Sequence, residues 1–212
     1  MFKWSRTYHI GKKVFSNMKR ILASILFSLT LSASVYGYSL FEDRKALETG
    51  LLRLHVVANS DSEEDQTVKL QVRDQVLSSI CAAMEQAGNM ENARAYLAEN
   101  LPEIEAAANR ALKAAGCEEL ASVTLCKEEF TKRIYDTFAL PAGLYEALRI
   151  TIGEGKGHNW WCVAYPQLCV PASSGEVETA ALEAGLPETL RGAMTGRYQI
   201  RFFLLDLLGR LR

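Results

Sequence analysis

The chain reads as an α+β protein: a largely antiparallel sheet packed by helices on one face, after an N-terminal signal or anchor segment. Three observations predict this. Apolar residues recur at helical spacing from Val68 through Leu112. From Leu120 the period shortens, and runs rich in β-branched and aromatic residues take over. A single strand candidate, Leu51 to Ala58, precedes the helices, so helices cluster early and strands late.

The first 37 residues stand apart. They hold six basic residues (Lys3, Arg6, Lys12, Lys13, Lys19, Arg20) and no acid. An apolar run from Ile21 to Ala33, softened by Ser24, Ser28, Thr30 and Ser32, leads to Val35-Tyr36-Gly37, residues suited to a cleavage site. The run is shorter than a spanning helix needs. A cleaved signal is therefore expected over a retained anchor, with residues 38–212 outside the membrane in either case. The expected organisation is 1–37 signal or membrane segment, 38–175 exported α+β domain, and 176–212 C-terminal extension. The 212 residues carry 24 basic side chains; setting aside the first six leaves 18 against 25 acids. An acidic balance of this kind argues against nucleic-acid binding.

Ser39 to Gly50 reads as a polar connection or short helix. Leu51 to Ala58 is the first strand, with His55 as a satisfied or half-exposed strand residue. Ser60 and Glu63 have capping-box spacing, and the acids that follow suit a helix N-terminus. Val68, Val72, Val76, Leu77, Ile80 and Met84 form the apolar stripe of that helix. Asp65 and Lys69 lie four apart on its polar side, and Gly88 closes it. The acids Asp61, Glu63, Glu64 and Asp65 lack the alternating ligands and central glycine of a calcium loop, so the cap explains them better than a metal.

Asn89 to Gly116 predicts two helices, because Pro102 fits a first turn and not an interior. Ala106, Ala107, Ala108, Ala111, Leu112 and Ala115 give the second a face of small residues. Strands are expected at Ser122–Phe130, Thr131–Phe138 and Tyr145–Ile152, with a turn at Leu140–Gly143. Leu148–Ile152 and Trp160–Tyr165, joined by Gly153, Gly155 and Gly157, carry a hairpin signal. Past Pro171 the chain is loop-like. A C-terminal helix from about Gln199 is expected to dock on the core, with a membrane surface or a partner helix as alternatives.

No strong catalytic constellation is present. Gly153-Glu-Gly-Lys-Gly-His has the glycines of a phosphate loop without its Lys-Ser/Thr or its spacing. His158 with Cys162 suggests a nucleophile pair. Outside the membrane the competing reading, a disulfide between Cys162 and Cys169, is preferred. Zinc on His158, Cys162 and Cys169 lacks a fourth ligand. No metal and no cofactor are expected. What the stretch suits is recognition: Trp160 and Trp161 point to opposite faces of a strand, so one can bury and the other remain exposed near Arg149 and His158. Tryptophan and arginine dominate interface energetics.

Two long stretches carry a resemblance. Leu52 through Gln66, with Lys69 and Val72-Arg73-Asp74, looks like the opening motif of the stage II sporulation protein R family. Leu140-Pro-Ala-Gly, Tyr145 through Arg149 and Gly153 through Cys162 look like its second signature, and Leu168-Cys169 follows. The resemblance implies a signal made in the forespore of endospore-forming bacteria and exported into the space between forespore and mother cell. It implies that the partner there is a membrane aspartic protease that processes pro-sigma-E, and that the family member is trigger and not protease. The expected contact surface is Arg149, Glu154, Lys156, His158, Asn159, Trp160 and Trp161, joined by Asn59 and Asp61 if the two stretches lie side by side. The alternative is an extracytoplasmic hydrolase of envelope material, using His158 with Glu154 or Cys162.

Overall fold

The computed structural model describes residues 4–135 and 139–166. By internal contacts the chain divides into a unit of residues 1–42 and a unit of residues 43–212. Helix α1 (Trp4–Gly50) begins in the first and ends in the second. Within the first unit its apolar side chains, among them Leu26, Phe27, Leu29 and Val35, are exposed. The stretch Asn17–Gly50 is long and apolar enough to cross a membrane, as a signal sequence also is. The helix runs through Gly37 without a break, and Ser39–Gly50, expected as a polar connection or short helix, is its last part.

The second unit is built on a four-stranded sheet of β1 (Leu52–Val57), β2 (Ala121–Phe130), β5 (Gly143–Ile152) and β6 (Asn159–Tyr165), in the order β2-β5-β1-β6. The β2–β5 and β1–β6 pairs are antiparallel and the β1–β5 pair is parallel. The sheet is thus largely antiparallel, as expected. The hairpin is not there: β5 and β6 do not pair, because β1 lies between them. All six residues of β1 are buried, which suits a strand enclosed on both edges better than a rim position. A second, two-stranded ladder joins β3 (Arg133–Ile134) to β4 (Ala139–Leu140). Of the strand expected at Thr131–Phe138, two residues are extended and paired; residues 136–138 lie outside the described ones. So do residues 167–212, and with them the expected C-terminal extension and helix.

Three helices pack on one face: α2 (Glu63–Gln86), α3 (Met90–Glu99) and α4 (Leu101–Ala114). Leu52, Leu54, Val56, Leu148, Ile150 and Ile152 meet the predicted stripe Val68, Val72, Val76, Ile80 and Met84, with Leu77 half-buried beside it. The cap of α2 differs from the expected one. Ser62, not Ser60, is the N-cap and accepts from Asp65 N at 3.1 Å. Ser60 is instead free to reach the Asp65 carboxylate. Asn89 caps α3, Pro102 occupies the first turn of α4, and Gly88 and Gly116 follow α2 and α4 at positive φ. Helix α4 also blunts the outer edge of β2. Asn109 accepts from Ala121 N at 2.9 Å and donates to Ala121 O at 3.0 Å, and Glu105 accepts from Val123 N at 3.0 Å. Those groups would otherwise offer a template for strand pairing.

Candidate partner-binding site

The strand order decides where the functional candidates fall. Since β1 separates β5 from β6, their connection must pass over the end of β1. There it meets the Asn59–Ser62 turn leading into α2. The two stretches are knitted together by backbone and side chain. Lys156 N donates to Asn59 O at 3.0 Å and Gly157 N to Ala58 O at 2.9 Å. Asn59 Oδ1 accepts from Glu154 N at 3.0 Å, and Asp61 Oδ1 accepts from His158 N at 2.6 Å. Gly153 and Gly155 adopt positive φ. Gly157 is required for another reason: a Cβ there would lie 2.1 Å from Ser60 O.

Below this surface the polar groups are satisfied. Ser60 Oγ donates to Asp65 Oδ2 at 2.5 Å and Asn59 Nδ2 to the same oxygen at 3.2 Å. The Ser60 hydroxyl, aided by Asn59 and Ser62, holds the Asp65 carboxyl below the usual carboxylate range. Lys69 is not on a polar face beside Asp65, as its spacing suggested. It is buried, and donates to Gln66 Oε1 and, at 2.9 Å, to His158 O. Burial pulls its ammonium below the ordinary lysine value. Lys69 therefore ties α2 to the far end of the loop.

What the surface presents outward is His158 on Asp61 (2.5 Å), an exposed Lys156–Glu154 pair (2.6 Å), and Trp160. Trp160 is 37% exposed and has the Arg73 guanidinium 4.3 Å from its ring centre. Leu120, 74% exposed, stands at the same end of the sheet, its carbonyl accepting from Gly153 N.

Arg149, Asn159 and Trp161 do not join this surface directly. They belong to the sheet face turned away from the helices, around a residue that sequence reasoning treated as ordinary. His55 is 5% exposed. Its Nδ1 meets Glu128 Oε2 and its Nε2 meets Asn159 Oδ1, both at 2.9 Å. The Trp161 ring stacks on it at 5.4 Å, and Arg149 reaches the other Glu128 oxygen at 3.1 Å. Both ring nitrogens are thus engaged, and the histidine acts as a brace. Through Asn159, next in the chain to His158, the brace bears on the start of β6. The available signal was the alternation of Arg53 and His55 on one face of an otherwise apolar strand; Glu128 becomes the neighbour of His55 only through a pairing register that local sequence does not encode. Neither tryptophan is fully buried, so the expected division into one core and one surface ring becomes an exposed and a half-buried one.

The candidates for hydrolysis are not brought together. His158 faces Asp61, Glu154 faces Lys156, and Cys162 is buried in the helix-side core. Cys81, Cys117 and Cys126 are not disulfide-bonded. Cys81 is half-buried and faces Glu85. Cys169 lies outside the described residues.

Comparison with known proteins follows the same stretches. Residues 48–174 match the family model described as Stage II sporulation protein R (spore_II_R). The chain is 36% identical over 166 residues to the "Stage II sporulation protein R" of Bacillus subtilis (strain 168), an alignment covering 74% of each. No solved structure matches the chain.

Proposed function

Because this chain belongs to the stage II sporulation protein R family and so has a role in sporulation, we propose that it is an exported signal that activates a membrane-embedded aspartic protease of the mother cell and so triggers processing of pro-sigma-E. In this reading it is not an enzyme. The basic, apolar N-terminus directs export across the forespore membrane into the intermembrane space, and either is removed or stays as an anchor. Residues 38–175 form the signalling domain, and residues 176–212 an extension. Cys162 pairs with Cys169 in that oxidising space.

The observation that carries the reading is the knitted surface of residues 153–158 and 59–62. It is rigidly held from below by Asn59, Asp61 and Lys69, while His158, Glu154, Lys156 and Trp160 face outward. Trp160 beside Arg73 supplies the anchor type that interfaces favour. An activator shifts the protease only by binding its active form more tightly, and a preformed surface loses little entropy on doing so. The brace residues Arg149, Asn159 and Trp161 support the surface from behind.

The test is pro-sigma-E cleavage in cells carrying the matched protease. Cleavage is expected with the wild-type chain and lost with Trp160→Ala or His158→Ala, both variants being exported and folded. Normal cleavage with both would remove the surface from consideration. No cleavage with the folded wild-type chain would overturn the activator role itself.

A further inference from the structure

The sheet face turned from the helices holds two guanidinium groups without a counter-charge among the described residues. Arg53 is fully buried. Its Nε donates to Cys162 O at 3.0 Å and its Nη2 to Tyr135 Oη at 2.8 Å. Its Nη1 is buried and makes no hydrogen bond, and the same holds for Nε of Arg133. The Arg133 guanidinium lies 3.4 Å from the Trp161 ring centre, and that of Arg53 lies 4.4 Å from Phe130 and 5.3 Å from Tyr145. Burial first, and also the charge of Arg133, lowers the Arg53 pKa from its ordinary value, so the two cations sense each other.

Among the described residues neither arginine has an ion pair. The carboxylates near this face are committed elsewhere: Glu128 to His55 and Arg149, and Glu48, which touches Gly143, to Arg44. Aromatic rings attract a cation through their faces but accept an N–H only weakly. A buried polar group left unpaired is strongly unfavourable. If packing were the only need, an apolar side chain at residue 53 would avoid that cost. An arginine fork is shaped for the two oxygens of a carboxylate.

We propose that Arg53 and Arg133 form a receptor for a carboxylate group, which takes the open donors Nη1 of Arg53 and Nε of Arg133. The carboxylate is that of an acidic side chain, from a partner protein or from elsewhere in this chain. The site stands apart from the loop surface and does not depend on the activator role.

The probe is acetate. Thermal unfolding of the full chain in detergent micelles is followed at rising sodium acetate, with sodium chloride holding ionic strength constant. A partner-supplied carboxylate predicts a rise in Tm of roughly 3–5 °C for the wild type near saturation, absent in Arg133→Gln and in Arg53→Met. If Arg53→Met fails to fold, Arg133→Gln, at a half-buried position, carries the comparison alone. A carboxylate supplied by the chain itself predicts no response in the wild type, but one in a chain whose acids at 136 and beyond 167 are changed to amides. Acetate acting on neither chain, or equally on Arg133→Gln, overturns the site.

Discussion

Gly157→Ala isolates the contact between the glycine loop and the turn after β1. The added carbon would lie 2.1 Å from Ser60 O and 2.5 Å from Ser60 C. Carbon and oxygen settle at about 3.3 Å when they touch, so loop and turn must part by about 1 Å. The obstacle is backbone, and no rotamer change relieves it. Five bonds cross the junction or end at it: Gly157 N to Ala58 O, Lys156 N to Asn59 O, Glu154 N to Asn59 Oδ1, His158 N to Asp61 Oδ1 and Lys69 Nζ to His158 O. Losing two of them, together with the strain of overpacking, places the cost at about 2–4 kcal/mol. Denaturant unfolding of the full chain in micelles measures it, and pro-sigma-E cleavage measures the functional side. Gly88→Ala is the control: its positive φ costs about 1 kcal/mol, but nothing lies within 4 Å of the new carbon. The expected outcome is cleavage lost in Gly157→Ala and kept in Gly88→Ala. A Gly157→Ala chain of wild-type stability and full cleavage would refute the reasoning.

Four further outcomes are expected. Asp65 has a carboxyl held below its usual range chiefly by the Ser60 hydroxyl. Its contribution should be complete above about pH 4 and drain away as pH falls through the lower folded value; Asp65→Asn should flatten that limb of a stability profile, and an unchanged limb counts against the assignment. Lys69→Met leaves His158 O and Gln66 Oε1 without their donor, so a loss of about 1–3 kcal/mol is expected by chemical denaturation, with cleavage reduced. Arg73→Ala strips the cation from Trp160, which should cost about 0.5–1 kcal/mol and raise acrylamide quenching of tryptophan emission; unchanged quenching would contradict the contact. A double-mutant cycle of His55→Phe with Glu128→Gln should give a coupling of about 1–3 kcal/mol, whereas strict additivity would deny the brace.

What the sequence made legible is what local chemistry governs. The α2 stripe from Val68 to Met84, Pro102 in the first turn of α4, and the strands around Val123 and Ile150 follow from side-chain period and backbone preference. The cap was misplaced by two residues because Ser60 and Ser62 offer the same hydroxyl. The tertiary pull of Asp65 on Ser60 leaves Ser62 to cap. The false hairpin has a deeper cause. A glycine-rich link between two strands shows that the chain turns back, but not which strand lies in the gap. Only the burial demand of β1 on both edges answers that. The same limit hid the brace. His55, Glu128 and Asn159 are remote in the chain, and each looks unremarkable alone. Their meeting depends on the registers β1–β5, β2–β5 and β1–β6 together. The loop surface was easier to see, since its glycines, histidine and tryptophans are contiguous.

The central position of β1 also sets the order in which the protein can assemble. Arg53 must wait 109 residues for Cys162, and the β1 segment is made before either of its neighbouring strands exists. A chain that emerges N-terminus first, from a ribosome or through a membrane channel, therefore carries its innermost strand unpaired until β5 and β6 arrive. Such long-range pairing is slow to form. On the proposed export route the chain consequently stays threadable for most of its passage, and its sheet closes only once nearly all of the domain has come through. The loop surface, which hangs on the end of β1, comes into being at that same last moment, so a partially translocated chain presents no surface to recognise.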